Sequence, residues 1–171
     1  IIGVPVNKSR YNGYNGQQVT NAQLKNVRPD KDAVRIIPIG GLGEFGIGKN
    51  MTVIEYGSEI VVIDMGTLFA NSDYPGVNYM VPDIKYLEDN MNKVKAICFT
   101  HAHLDHIGAC RHLLPKFGNL VPIYGTDFTI GMIKKQMSEL DEEPDLNYQV
   151  VDPLKHEKIK VSEHLSIEFI H

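Results

Sequence analysis

Three histidines and an aspartate lie between positions 101 and 106 of this chain, as His101, His103, Asp105 and His106. Imidazole nitrogens and carboxylate oxygens are ligands that suit a zinc-like divalent ion. Because side chains on an extended segment alternate in direction, His101 and His103 can turn towards the same point. Asp105 and His106 follow where a helix is expected to begin, so they can face a second point beside the first. The spacing therefore predicts two metal ions held side by side.

The surroundings of this cluster favour a metal site over the alternative, a histidine-rich tag or solvated loop. An apolar run at 94–99 precedes the cluster, and two small residues, Gly108 and Ala109, follow it. Another acid, Asp64, ends a second apolar run at 59–64. Asp64 either caps that strand or orients a ligand histidine. We favour the second role, because a buried carboxylate needs a partner.

Apolar patterning predicts strands and helices that hold the cluster at one edge of a sheet. Strands are expected at 34–39, 51–56, 59–64, 94–99, 121–124, 148–151, 158–161 and 165–170, and helices from 82, at 107–117 and at 126–140. Gly57-Ser58 predicts a two-residue hairpin. The buried stripe of the last helix is expected to contain Phe128, Met132, Ile133, Met137 and Leu140. The order βββαβαβαβββ predicts an α/β layered sandwich.

Other residues with ligand-type or reactive side chains are interpreted as structural. Cys98 and Cys110 have no CxxC partner and are expected to be reduced core residues. His156 and His164 are expected at the surface, and His112 is expected at the surface or in the core. None of these three is expected to be a metal ligand.

The glycine-rich loop at 40–50 follows the first strand. It fits neither of the nucleotide-binding patterns GxxxxGK[ST] and GxGxxG, because the spacing from Gly43 to Lys49 is wrong and Asn50 replaces the Ser or Thr. We interpret it as a loop that lets the backbone approach a metal-bound substrate.

Charge divides the chain into two parts. The net charge of −4 is the sum of +3 on residues 1–32 and −7 on residues 33–171. The first part is predicted to be a disordered, mildly basic arm, and the second a single domain. Its acidic body argues against a broad nucleic-acid-binding face. No apolar run approaches the roughly 20 residues of a membrane span, so we expect no membrane contact. The two cysteines without a CxxC partner make a cytoplasmic location the default.

The sequence His101-x-His103-x-Asp105-His106, with Asp64 before it, resembles the HxHxDH signature of the metallo-β-lactamase superfamily. The signature alone leaves thiolesterases, lactonases and tRNA-processing nucleases open. The flanking segments are similar to those of the bacterial ribonuclease J family, of the β-CASP group: GGLGE at 40–44, KNM at 49–51, IDMG at 63–66, PGV at 75–77, VPDI at 81–84, YLE at 86–88 and VPIYGT at 121–126.

This resemblance implies the N-terminal portion of a metallo-β-lactamase αβ/βα sandwich. It implies a ribonuclease that acts as a 5′-to-3′ exonuclease and an endonuclease in RNA processing and decay. His101 and His103 would bind one Zn²⁺, and Asp105 and His106 the other, with Asp64 supporting them and Mn²⁺ or Mg²⁺ as alternative ions. A metal-bridged hydroxide would attack the phosphorus, and Asp105 would also accept the proton of the water. RNA is the implied partner, and the full-length protein is expected to form a homodimer or homotetramer.

Two departures from the family pattern affect these expectations. The glycine-rich loop is about two residues longer than the family's version, judged by the motif spacing. The family's next ligand histidine follows a strand like the one expected at 165–170, so His171 is a candidate, although the pattern favours a ligand beyond it. We therefore interpret the chain as a fragment without the β-CASP domain, and predict that residues 1–171 alone bind zinc weakly and cleave nothing.

Two other functions remain as alternatives. One is a different hydrolase with the same fold, acting on a thiolester or a lactone, which would lack a large inserted RNA-binding domain. The other is a non-catalytic RNA-binding subunit that keeps the fold. Such subunits usually lose ligands, whereas all four motif positions are present in this chain.

Overall fold

The computed structural model describes residues 33–41, 48–70 and 74–170. The predicted arm at 1–32, the middle of the glycine-rich loop and the candidate ligand His171 lie outside the described residues. The strands are β1 (Val34–Pro38), β2 (Thr52–Tyr56), β3 (Glu59–Ile63), β4 (Leu68–Phe69), β5 (Tyr79–Met80), β6 (Val94–Cys98), β7 (Pro122–Gly125), β8 (Asn147–Val150), β9 (Lys158–Lys160) and β10 (Ser166–Glu168). The helices are α1 (Lys85–Glu88), α2 (Leu104–Ile107), α3 (Cys110–Leu113) and α4 (Asp127–Met137).

The main sheet has six strands in the order β1-β2-β3-β6-β7-β8. The first three strands are antiparallel, and β3, β6, β7 and β8 run parallel to one another. The predicted hairpin between β2 and β3 is confirmed: Tyr56 pairs with Glu59, and Gly57 has the positive φ of 58° that such a tight turn needs. Because β3 and β6 are parallel neighbours, the residues that follow them meet at the same edge of the sheet.

Both faces of the central strands are covered, as the continuous apolar run of β3 predicts. Ile60 and Val62 belong to the main core with the helices. On the other face, Val61 packs with residues of the antiparallel pair of strands β9 and β10, which we call the β9–β10 ribbon. Cys98 and Cys110 are free and buried, which confirms them as reduced core residues. Burial, together with the negative charge of Asp64, raises the pKa of Cys98 to about 12.

Glu59 fastens the β9–β10 ribbon to the sheet. It is buried, and its carboxylate accepts hydrogen bonds from Ser162 Oγ at 2.9 Å and from the backbone N–H groups of His164 and Glu163, each at 3.1 Å. Burial alone would raise the pKa of Glu59, but these hydrogen bonds lower it below its ordinary value. The His164 side chain is exposed as expected, but it also has a partner, since its Nδ1 lies 3.4 Å from Glu59 Oε2.

The continuous helix expected at 107–117 is wrong. The chain is already helical at Leu104 and forms two separate turns, α2 and α3, followed by a 3-10 turn at Leu114–Lys116. In a helix that continued from α2 into α3, Ala109 N–H would donate to Asp105 O, but it donates to Met65 O at 2.9 Å, and Asp105 O accepts from the backbone N–H of Asn50 at 3.0 Å. Contacts with two distant loops therefore replace the helical bonds and break the helix beside the site.

Other boundaries also differ from those expected. The last helix is shorter than 126–140 and places Ile130, Ile133 and Met137 in the core, while Phe128 and Met132 are 71% and 39% exposed. No strand is expected between 64 and 94, but the structure has β4 and β5 there, paired with each other. In the ranges that the structure describes, no helix has the length and apolar character to span a membrane.

Candidate metal centre

Two loops meet at the shared end of β3 and β6, and their backbones are bonded to each other. Met65 N–H donates to His106 O at 2.7 Å, and Thr67 N–H donates to Leu104 O at 3.0 Å. Gly66 permits this approach, since a Cβ atom at that position would lie 1.5 Å from Asp105 O. Asp64 begins its loop with a φ of 62°, a left-handed conformation that aspartate tolerates better than most residues. The second loop begins at Thr100 and carries His101 and His103, and helix α2, which follows it directly, carries Asp105 and His106.

The structure places these four side chains in two adjacent pairs. His101 Nε2 lies 3.0 Å from His103 Nδ1, and Asp105 Oδ2 lies 3.3 Å from His106 Nε2. The rings of His101 and His106 are neighbours, with centroids 4.0 Å apart, so the pairs are side by side. We call them the first pair (His101 and His103) and the second pair (Asp105 and His106).

Asp64 is the buried acid behind both pairs, with 4% of its surface exposed. Its Oδ2 lies 2.7 Å from His106 Nδ1 and accepts a hydrogen bond from Thr100 Oγ1 at 2.9 Å. Its Oδ1 accepts from the backbone N–H of Thr100 at 2.9 Å. A carboxylate can only accept, so in the neutral form of His106 the proton is on Nδ1 and the lone pair is on Nε2.

Thr100 determines the tautomer of His101 in the first pair, as Asp64 determines that of His106 in the second. Its hydroxyl hydrogen points to Asp64, so its oxygen is free to accept from His101 Nδ1, which lies 3.0 Å away. His101 Nε2 therefore holds a lone pair directed towards His103. Burial lowers the pKa of His101, as do the nearby imidazoles of His106 and His103. Neutral imidazole is the form that binds a metal ion.

Sequence reasoning missed two residues of this site, Asn50 and Thr100. Asn50 Nδ2 lies 3.1 Å from Asp105 Oδ2, although the two residues are 55 positions apart. No local pattern links positions so distant. A sequence signal for Thr100 does exist, because it is a hydroxyl residue placed between strand β6 and the first ligand. Its partner, Asp64, is 36 positions earlier in the chain, so no local pattern links the two residues.

The donor atoms of the two pairs fit divalent metal ions. Three imidazoles and one carboxylate provide the expected ligand types, and the hydrogen bonds that Asp64 and Thr100 accept from Nδ1 of His106 and His101 leave Nε2 of each neutral ring free to bind an ion. Among the described residues, three ligand-type side chains converge within 4.8 Å of one another at Glu59, Glu163 and His164, whereas the four side chains of the two pairs converge only two by two. The oxygens of Glu59, however, accept the hydrogen bonds that hold the β9–β10 turn.

Comparison with known proteins supplies the family context of this site. The family model for the Metallo-beta-lactamase superfamily matches residues 46–169. Ribonuclease J of Thermus thermophilus is 39% identical over 142 residues, covering 81% of this chain and 24% of that protein. Ribonuclease J of a Synechocystis species is 37% identical over 138 residues, covering 81% of this chain and 21% of that protein.

The chain thus spans about a quarter or less of the length of these relatives. Among solved structures, the metallo-beta-lactamase fold protein YhfI from Bacillus subtilis has a TM-score of 0.48 and 18% identity, covering 76% of this chain and 50% of that one. The family model and the relatives confirm the predicted fold and the predicted resemblance.

Proposed function

This chain belongs to the metallo-β-lactamase superfamily, and we propose that it carries part of the active site of a metal-dependent ribonuclease. The substrate would be RNA and the reaction hydrolysis of its phosphodiester bonds. The resemblance to ribonuclease J extends the proposal to 5′-to-3′ exonuclease and endonuclease action in RNA processing and decay. By the same resemblance, we propose that the full-length protein is cytoplasmic and forms a homodimer or homotetramer.

The observation that carries this proposal is the arrangement of ligand-type atoms in two adjacent pairs, backed by Asp64. His101 and His103 would hold one ion, and Asp105 and His106 the other, with zinc as the proposed ion and Mn²⁺ or Mg²⁺ as alternatives. Bound divalent ions would lower the pKa of water to about 7 and offset the negative charge that develops on the phosphate oxygens.

Three side chains of this protein orient the metal-binding atoms or accept the proton of the attacking water. Asp64 and Thr100 hold His106 and His101 in the tautomers that present Nε2. The Asp105 side chain is 30% exposed, so it can reach both the site and solvent, and we propose that its carboxylate accepts the proton of the attacking water. Burial and the nearby imidazoles of His106 and His103 lower the pKa of His101, which favours the neutral ring that a metal ion binds.

The test uses the full-length protein and RNA with a 5′-monophosphate, assayed with zinc or manganese. The His103→Ala variant should lose RNA cleavage by at least about 100-fold, because one donor of the first pair is removed. His103 is exposed, so we expect the variant to fold, which a thermal melt would check. His156→Ala is the matched control, since His156 is also exposed and contacts Glu168, outside the site.

Full RNA cleavage by the His103→Ala variant would contradict the proposal. So would a wild-type protein that hydrolyses thiolesters or lactones and leaves RNA intact. That second result would assign the same metal centre to one of the alternative hydrolases.

A further inference from the structure

Asn50 is fixed in place by its own backbone at the point where the glycine-rich loop reaches the site. Its N–H donates to Asp105 O at 3.0 Å, and its carbonyl oxygen accepts from Gly66 N–H at 3.0 Å. The residue therefore bridges the loop that follows β3 and the loop that carries the ligands. Its side chain starts from a position that both loops determine.

The Asn50 amide is directed at the second pair. Its Nδ2 lies 3.1 Å from Asp105 Oδ2, 3.1 Å from Asp105 O and 3.3 Å from His106 Nε2. An amide nitrogen has two hydrogens, so both are used by atoms of this pair. Because His106 Nδ1 donates to Asp64, His106 Nε2 is an acceptor and faces the amide without conflict.

We propose that Asn50 is a positioning residue that sets the affinity of the second pair for a divalent cation. This inference rests on the metal site of the proposed function. The amide fixes the Asp105 carboxylate beside the imidazole of its partner ligand, with Asp105 Oδ2 3.3 Å from His106 Nε2. Without the amide, the carboxylate would be free to rotate away from His106, and the two donor atoms would no longer be held side by side for one cation.

An uncharged donor suits this role better than a charged one. A lysine or arginine at position 50 would also hold the Asp105 carboxylate, but its positive charge would repel the cation. The asparagine amide orients the carboxylate and leaves its negative charge available. The first pair has no contact with Asn50 among the hydrogen bonds of the described residues, so its affinity should not depend on this amide.

The experiment is a zinc titration of the full-length protein by calorimetry, with Co²⁺ absorption spectra as a second readout of ligand geometry. In the Asn50→Ala variant we expect one ion to bind as in the wild type. The other should bind about 10- to 100-fold more weakly, the usual effect of losing a partner of a metal ligand. Asn90→Ala is the matched control, because Asn90 Nδ2 donates to Tyr86 O at 2.9 Å, away from the site.

Asn50→Leu has nearly the size of asparagine and serves as the second variant if the alanine variant has a lowered Tm. Equal weakening of both ions, no weakening of either, or a wild-type protein that binds a single ion would overturn the inference. Since the titration needs no RNA, the inference is separable from the proposed function. Two bound ions with selective loss of one would support Asn50's role even in a protein that cleaves no RNA.

Discussion

The two donor pairs differ in how the fold holds them. The second pair is contacted from three sides: Asp64 bonds to His106, Asn50 bonds to Asp105, and the backbone of Met65 bonds to His106 O. In the first pair, His101 is held through the Thr100 hydroxyl, and the His103 side chain is exposed. The second pair is therefore a product of long-range packing, whereas the first pair depends mainly on local alternation of side chains.

This difference predicts that changes in the distant loops weaken the second pair more than the first. Three substitutions test it, and they are given in order of decreasing expected effect.

Gly66→Ala should have the largest effect, because its Cβ would lie 1.5 Å from Asp105 O and would force the two loops apart. We expect the free energy of unfolding to fall by about 3 kcal/mol, measured by urea denaturation, and the second ion to bind more weakly than the first. Gly131→Ala is the control: nothing lies within 4 Å of its added Cβ, and in helix α4 alanine should stabilise by up to about 1 kcal/mol. Equal stability of the two variants would refute the close approach of the loops.

Asp64→Asn should have an intermediate effect. Asparagine tolerates the positive φ at this position, but its amide cannot accept from both Thr100 and His106 as the carboxylate does. We expect a loss of about 1–3 kcal/mol in the free energy of unfolding and weaker binding of both ions, with the greater loss at the second pair. Unchanged zinc affinity would show that Asp64 does not orient the ligands.

Thr100→Val should have the smallest effect on stability. Unlike the other two substitutions, it should weaken zinc binding at the first pair more than at the second. Valine keeps the shape of threonine but removes the hydroxyl that accepts from His101 Nδ1. We expect about 1 kcal/mol of destabilisation and weaker binding of the first ion, with Thr100→Ser retaining wild-type behaviour. If the valine variant lost more zinc affinity at the second pair than at the first, the proposed difference between the two pairs would be contradicted.

Local sequence patterns account for the features that depend on near neighbours. The spacing of His101, His103, Asp105 and His106 indicated two pairs, and Gly57-Ser58 indicated the hairpin that leads into β3. The roles of the individual ligands and the identity of the ions stay predictions, as do the arm at 1–32 and His171.

Features that depend on distant contacts were missed or wrong. The helix after the cluster is broken because Asp105 O and Ala109 N bond to Asn50 and Met65, which no periodicity reveals. The buried stripe predicted for the last helix is correct at Ile133 and Met137, which lie in the core, and at Leu140, which packs against it. It is wrong at Phe128 and Met132, because Ile130 shares the face of α4 with Ile133 and Met137, which leaves the other two side chains on the exposed face.

The central claim is that each pair holds one divalent ion. The most direct measurement is anomalous diffraction at the zinc edge from crystals of the full-length protein grown with zinc. The account predicts two peaks, one in contact with His101 and His103 and the other in contact with Asp105 and His106. A single peak, or zinc bound at Glu59, Glu163 and His164 with none at the two pairs, would contradict it.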